Sequence, residues 1–527
     1  MLRMRLSAVL IALAAVVAAP LPASAVADSG HGPLGFDLDA VTIPDLQQRM
    51  DHGRLTAVRL TQAYLDRIAA VDGKVHAVIA RNPLALADAA ASDARRRAGR
   101  TLGRLDGIPV LLKDNIDTRV QPATAGSRAL PRTRPAADAA LVERLRHGGA
   151  VILGKTNLSE WANFRSTHAT SGWSGVGGQT NNPYVLDRNP CGSSSGSGAA
   201  VAATLAQVAI GTETDGSIVC PSGANDVVGE KPTLGLVSRT GVVPISAEQD
   251  TAGPMARHVV DTAITLSVLQ GRDSADPATR DIPAEQPRDY AALLRPDALR
   301  GARIGVWRLS GLDADVDRVV QDAVRTLTSR GATVVDVNLP YQDEVNADEF
   351  PALLTEFKRD LNGYLTHRPG HPATLDELIA FDRADPVELS KFGQELFEQA
   401  AAAPAPTDPT YLKQRATATS LARRSIDETL AGQRLDAILA PTNSPAWKTD
   451  YAAGDAFVLG SSTPAAVAGY PNISVPAGFA GPLPIGVSFF AGRWADARIL
   501  AFAAAFERAA PVRKAPKFLP TIGVAPA

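Results

Sequence analysis

Apolar positions in this chain recur with two different periods, and the alternation between them outlines a fold. Thr42-Ile43-Pro44 leads into LQQRM as a helix start, and in LTAVRLTQAYLDRIAAVD the positions Val58, Leu65 and Ile68 fall close to one helical face. Two short helices packed on a larger body are expected there. From Val75 the texture changes. VHAVIARN reads as a strand, the Ala/Arg-rich stretch near 84–99 as a helix, and GIPVLLKDNIDT as a strand again. AALVERLRHGGAVILGKTN reads as a helix closed by Gly148-Gly149 that feeds a β-branched strand, and ARIGVWR followed by VDRVVQDAVRTLTSRGATVVDVNLP repeats the pattern. Strand, helix, strand in this rhythm predicts an α/β fold, with a central mixed β-sheet covered by helices on both faces.

Gly271 to Leu299, rich in Pro, Asp and Arg, reads as an exposed connection. A variable helical region at about 343–430, broken by APAPTDPT, precedes a return to strand texture at LDAILAPT. Strand-like pieces on both sides of that region are expected to share one sheet. Residues 41–510 are therefore read as one large domain, between a polar segment at 26–40 and a C-terminal tail at 511–527.

The first 25 residues have their own pattern: a basic start, an apolar run from Leu6 to Ala19, then small residues ending Ala23-Ser24-Ala25. This is a secretory signal pattern with cleavage after Ala25 or Ala27, and it predicts a secreted, extracellular protein. The run is short for a membrane span and is followed by Pro20 and Pro22, so no membrane association is expected after cleavage. With 527 residues, 45% hydrophobic and 20% charged, the chain has the composition of a globular protein. Its formal charge of -2 becomes about -4 once Arg3 and Arg5 leave with the signal, which points to neither nucleic acid nor an anionic surface as a partner. Nothing in the sequence fixes an oligomeric state.

The chemistry concentrates in CGSSSGSGAAVAATLAQVAIGTETDGSIVCP, from Cys191 to Pro221. Two glycine-serine turns flank an apolar segment long enough for a buried helix. Glycine admits conformations and close approaches that a Cβ forbids, so both turns can aim several N–H groups at one point, where an anion or a developing oxyanion would be held. Cys191 and Cys220 each sit beside one turn; a disulfide and a pair of buried thiols both fit. Upstream, Lys113 ends a strand-like apolar run in GIPVLLKDNI. The chain has ten lysines against 43 arginines, so a lysine at the end of a buried strand stands out. Lysine can lose its proton when desolvated, which arginine in practice cannot. An ion pair with Asp114 is the plainer alternative.

Other chemistries fit less well. Gly192-Ser-Ser-Ser-Gly196 matches G-x-S-x-G with Ser194 as nucleophile, but that elbow needs a strand immediately before it and Pro190 stands there instead. His147, His168 and His258 have no telling surroundings. No metal-ligand spacing and no phosphate loop is present, so no metal and no cofactor is expected.

Taken together, GIPVLLKDNIDT, GAVILGKTNLSEWANF, GGQTNNPY, PCGSSSGSGAAVAA, GTETDGSIVCP, KPTLGLVSRTGVVPIS, DTAGPMAR and SSTPAAVAGYPNISVPAG resemble the amidase signature family of Ser-Ser-Lys serine hydrolases, from about Thr42 to Arg508. The resemblance implies Ser217 as nucleophile, Ser193 as a bridging serine held by a cis peptide bond, and Lys113 as base. It also implies an oxyanion hole formed by the N–H groups of Thr214, Asp215, Gly216 and Ser217. Departures from the family pattern are Cys191, Ser195 and Gly198 around the first turn, and Glu230 before KPT, where an apolar residue is usual. A buried carboxylate there must find a partner or a proton. Within the family, TETDGSIVCP, SEWANF, PCGSSSGS and AEQDTAGPMAR most resemble the peptide amidases, which implies hydrolysis of a peptide's C-terminal amide to acid and ammonia. Broad aliphatic or aromatic amidases, cyclic-amide hydrolases and the amidotransferase component that makes glutaminyl-tRNA are alternatives, the last disfavoured by the secretory signal. An inactive binding protein on the same scaffold is disfavoured by the intact Lys113, Ser193 and Ser217. The expected partner is a small-molecule or peptide amide, and Trp173, Phe489 and Phe490 are candidates to line its pocket.

Overall fold

Thr42 caps the first helix through a reciprocal bond with Asp45, and Pro44 occupies its first turn, where a missing N–H costs nothing. The computed structural model describes residues 34–130, 134–368 and 372–523. The apolar leader and its cleavage point lie outside the described residues. Helix α1 (Ile43–Asp51) is followed by α2 (Ala57–Val75), which is longer than expected. Its buried face runs through Ala57, Leu60, Thr61, Tyr64 and Ile68, at the i, i+3, i+4, i+7 spacing of a helical stripe. Val58 and Leu65 sit at the flank of that stripe, partly buried.

The alternating section that follows contains β1 (Val78–Arg81), α3 (Ala85–Arg97), β2 (Pro109–Lys113), α4 (Ala140–His147) and β3 (Val151–Thr156). After a small ribbon, β4 (Trp173–Ser174) with β5 (Gly178–Gln179), come α5 (Ser195–Ala202), β6 (Val208–Glu213), α6 (Val219–Ala224), β7 (Val228–Lys231) and β8 (Thr251–Ala256). All eight residues of α5 are buried, as its Ala/Gly/Ser/Val content allows. The second half contributes α7 (Val259–Leu269), β9 (Arg303–Val306), α8 (Ala314–Ser329), β10 (Thr333–Asp336), β11 (Ala437–Pro441), β12 (Asn472–Ala480) and β13 (Leu483–Phe490).

Eleven of these strands form one mixed sheet in the order β1-β3-β2-β6-β8-β7-β12-β13-β11-β9-β10. Strands from before and after the helical region thus share one sheet, which makes the architecture a single α/β unit. The helical region is built from α9 (Gln342–Leu365), α10 (Leu375–Ala384), α11 (Glu395–Ala402) and α12 (Pro409–Gln433); α13 (Thr463–Ala468) and α14 (Asp496–Ala509) complete the helices. Residues 271–299 are mostly exposed or half-buried, as expected of a connection, with a few buried anchors. Tyr290 and Thr279 are fully buried there, and Leu299 nearly so, because the segment folds back on the main core.

One feature of the topology positions the site. Strands β3, β2 and β6 run parallel, with Val110 paired to both Ile152 and Val208, so their carboxyl ends emerge together. In open α/β sheets ligands bind beyond those ends. Lys113 is the last residue of β2, and Thr212 and Glu213 are the last two of β6.

Candidate active site

Lys113 is fully buried, and among the described residues every hydrogen-bond partner of its amine is neutral. Nζ lies 2.7 Å from Ser193 Oγ, 2.8 Å from Thr212 Oγ1 and 3.1 Å from the Thr212 carbonyl. The ion pair considered for it goes elsewhere: Asp114 faces Lys155 at 3.3 Å. Burial pulls the Lys113 amine down from 10.5 to about 7, against the opposing pull of the Asp250 and Glu213 carboxylates. A neutral amine has two hydrogens and one lone pair. Two donations to Thr212 therefore leave the lone pair for the Ser193 hydroxyl.

Ser193 is fully buried and follows a cis peptide bond from Gly192. The chain on either side of it reaches the second turn. Gly192 lines a cavity of about 330 Å³ whose wall also includes Ser217, and Ser194 N–H donates to the Ser217 carbonyl at 3.1 Å. Ser194 itself does a different job from the one an elbow would require. Its hydroxyl donates to the Thr212 carbonyl at 3.1 Å and accepts from Thr212 N–H at 3.2 Å, pinning the turn to β6.

The second turn, Thr214 to Ser217, joins β6 to α6. The Glu213 carboxylate accepts the N–H groups of Ile218 and Val219 at 2.6 and 3.0 Å, which caps α6 and draws the turn into a tight arc. Gly216 has φ +76°, a conformation that glycine adopts without strain. Thr214, Asp215, Gly216 and Ser217 all face the cavity, and among the described residues none of their four N–H groups has an acceptor. Buried N–H groups are nearly always paired, so four free donors in succession mark a place for an acceptor from outside the protein. The side chains around the turn are well tied. Asp215 accepts from Ser462 and Thr463 at 2.5 and 2.6 Å, and Thr214 Oγ1 donates to Asp250 at 2.5 Å.

Cys191 and Cys220 form a disulfide with their Cα atoms 6.0 Å apart, which joins the loop before Ser193 to the helix after Ser217. The aromatic candidates for the pocket lie elsewhere. Phe489 and Phe490 are fully buried in β13, the first against Phe506 in the main core, the second in a cluster with Tyr470 and Ile426. Trp173 packs edge-on to Phe392, and the Arg165 guanidinium lies over both rings. None of the three lines the cavity. Its walls come instead from Phe164 at the end of SEWANF and Ile245 in KPTLGLVSRTGVVPIS, together with Leu353, Trp447, Asp455 and Phe457, which no local motif marks. Glu230 is fully buried, and neither carboxyl oxygen has a hydrogen-bond partner among the described residues; burial and the nearby Asp496 push it well above the carboxylate range.

The family comparisons agree with this geometry. The amidase family profile matches residues 59–500. The chain belongs to the amidase signature family. A probable amidase of Arabidopsis thaliana is 39% identical over 502 residues, covering 92% of this chain and 93% of the relative. A glutamyl-tRNA(Gln) amidotransferase component of Salinispora arenicola is 36% identical, covering 90% of this chain and 98% of the relative. Among solved structures, a peptide amidase in complex with the competitive inhibitor chymostatin superposes with a TM-score of 0.89 at 50% identity, covering 91% of this chain and 100% of that one. The protein is thus an amidase, a hydrolase of amide bonds.

Proposed function

We propose that this amidase removes the C-terminal amide of peptides through an acyl-enzyme at Ser217, and that it works outside the cell. The observation that carries the catalytic reading is the row of N–H groups from Thr214 to Ser217, none of which has an acceptor among the described residues, together with a buried lysine whose bonding partners there are all neutral. In this reading neutral Lys113 takes a proton from Ser193 as Ser193 takes one from Ser217, and Ser217 Oγ attacks the amide carbon. The oxyanion is received by the N–H groups of residues 214–217, each worth about 3 kcal/mol of barrier at most such sites. The proton returns through Ser193 to the leaving nitrogen, because an amide anion leaves poorly unprotonated, and ammonia departs. Water, deprotonated by the same relay, then splits the ester to free acid and Ser217.

The peptide preference is supported by the 50% identity to a peptide amidase and by the TETDGSIVCP and AEQDTAGPMAR segments. Export is supported by the basic, apolar and small-residue pattern of residues 1–25. The test is incubation of the mature protein with a blocked peptide amide, followed by mass spectrometry. A gain of about 1 dalton per peptide, with ammonia released, is the expected result of amide-to-acid conversion. Shortened fragments, or turnover of small amides alone, would overturn the peptide-amide reading. N-terminal sequencing of the exported protein tests the leader, with a start at Val26 or Asp28 expected.

A further inference from the structure

The cavity wall carries a carboxylate that no step above uses. Asp455 lies in the loop between β11 and α13 and lines the cavity together with Ser217 and Gly216. Among the described residues every group that touches its carboxylate is a neutral donor. Oδ1 accepts from Ser171 N at 3.0 Å, Trp447 Nε1 at 3.2 Å and Asn189 Nδ2 at 3.3 Å, Oδ2 shares the Ser171 N–H at 3.2 Å, and the Ser171 hydroxyl also acts on the carboxylate. Among the described residues no ion pair joins Asp455 to a lysine, arginine or histidine, and no such side chain lines the cavity. Asp215, the other carboxylate in the wall, differs in that both its oxygens are taken by hydroxyls.

The surroundings of Asp455 suit a cation with an apolar stem. Trp447, which donates to Asp455, packs edge-on to Phe457 with ring centroids 6.1 Å apart. Phe457, 44% exposed, lines the cavity with the carboxylate and gives it an apolar lip. Methylenes of a lysine or arginine side chain can lie on such a lip while the charged head meets the carboxylate and an aromatic face.

We propose that Asp455 is a specificity-determining residue that favours amide substrates carrying a positive charge on their acyl side. This rests on the peptide-amide reading and narrows it to basic peptide amides. Burial pushes the Asp455 carboxyl up from its ordinary value, and the bonds from Ser171 and Trp447 pull it back toward the charged form. The same field disfavours acidic side chains and opposes retention of the carboxylate product.

The test compares blocked dipeptide amides that carry arginine at the last or the penultimate position with the neutral isostere citrulline at the same position. At one of the two positions the wild-type kcat/KM should favour arginine by about tenfold at low ionic strength, the scale of one partly screened charge pair. The ratio should fall to near one in Asp455→Asn, and Asp455→Glu should retain much of it. A ratio cancels general damage to the variant. Equal rates for arginine and citrulline at both positions in the wild type, or a preference that survives Asp455→Asn, would overturn the proposal. Turnover of the citrulline peptides reports separately on the peptide-amide reading. If neither peptide is hydrolysed, that reading fails, and the charge preference is then read from inhibition of simple-amide turnover by the same peptides, with the same two outcomes.

Discussion

Lys113 Nζ lies 2.7 Å from Ser193 Oγ, and among the described residues no carboxylate is within bonding distance of the amine. Together with the free N–H groups at the second turn, that contact divides the work among three hydroxyls. Ser217→Ala should abolish turnover, because Ser217 alone stands at the end of the N–H row while the wall hydroxyls of Thr214, Ser462 and Thr463 are held by Asp250 and Asp215. Ser193→Ala should leave a weak residue of activity, since the nucleophile and the N–H groups remain. Ser194→Ala should act on stability, by about 1–3 kcal/mol for the freed Thr212 groups, and should keep a large part of kcat. Steady-state kinetics with thermal melts separates the three. Complete loss in Ser194→Ala at wild-type stability would revive a nucleophile elbow.

Gly216 is held at φ +76°, and a Cβ there would come within 3.0 Å of Ser462 Oγ. Gly216→Ala should cost about 1–2 kcal/mol in backbone strain and turn the free N–H groups away from the oxyanion. We expect kcat to fall much more than substrate binding weakens, read from kcat against the inhibition constant of a substrate-like acid. An unchanged kcat would remove residues 214–217 from the role of oxyanion donors.

The Cys191–Cys220 bridge closes a loop of sequence separation 29 that contains both serine turns. Thiol titration of the denatured protein without reductant should find no free thiol. Replacing both cysteines by serine should lower stability by ~3–4 kcal/mol, the chain-entropy value for a loop of that size. Two titratable thiols in the protein as isolated would contradict the bridge.

The site was legible where its function is local and illegible where it is assembled. Lys113 at the end of an apolar strand and the two glycine-serine turns show in the sequence itself, while the separate roles of Ser193, Ser217 and the N–H groups of 214–217 come from the family resemblance; the buried α5 between the turns follows from its small residues. The part of the cavity wall outside those motifs has no such mark. Leu353 and the 447–457 stretch with Trp447 and Asp455 lie far apart in the chain and meet only in three dimensions. Aromatic content misled for a physical reason: both faces of the sheet are covered, so the adjacent Phe489 and Phe490 point to opposite sides and each finds a core. The same limit applied to α2, where Ala57 and Tyr64 rather than Val58 and Leu65 define the buried stripe. Glu230 was visible as an oddity, and the fold gives it no hydrogen bond among the described residues.

The direct test of Lys113 as a neutral base is the pH dependence of kcat/KM on an uncharged peptide amide. Below its pKa the amine is protonated and cannot accept from Ser193, so the rate should fall tenfold per pH unit on the acid side of about 7 and level off above it. Lys113→Arg, which keeps the charge and cannot lose the proton, should be nearly as inactive as Lys113→Ala across the whole range. A profile with no acid limb near 7, or a Lys113→Arg variant with most of the wild-type rate, would contradict the proton relay.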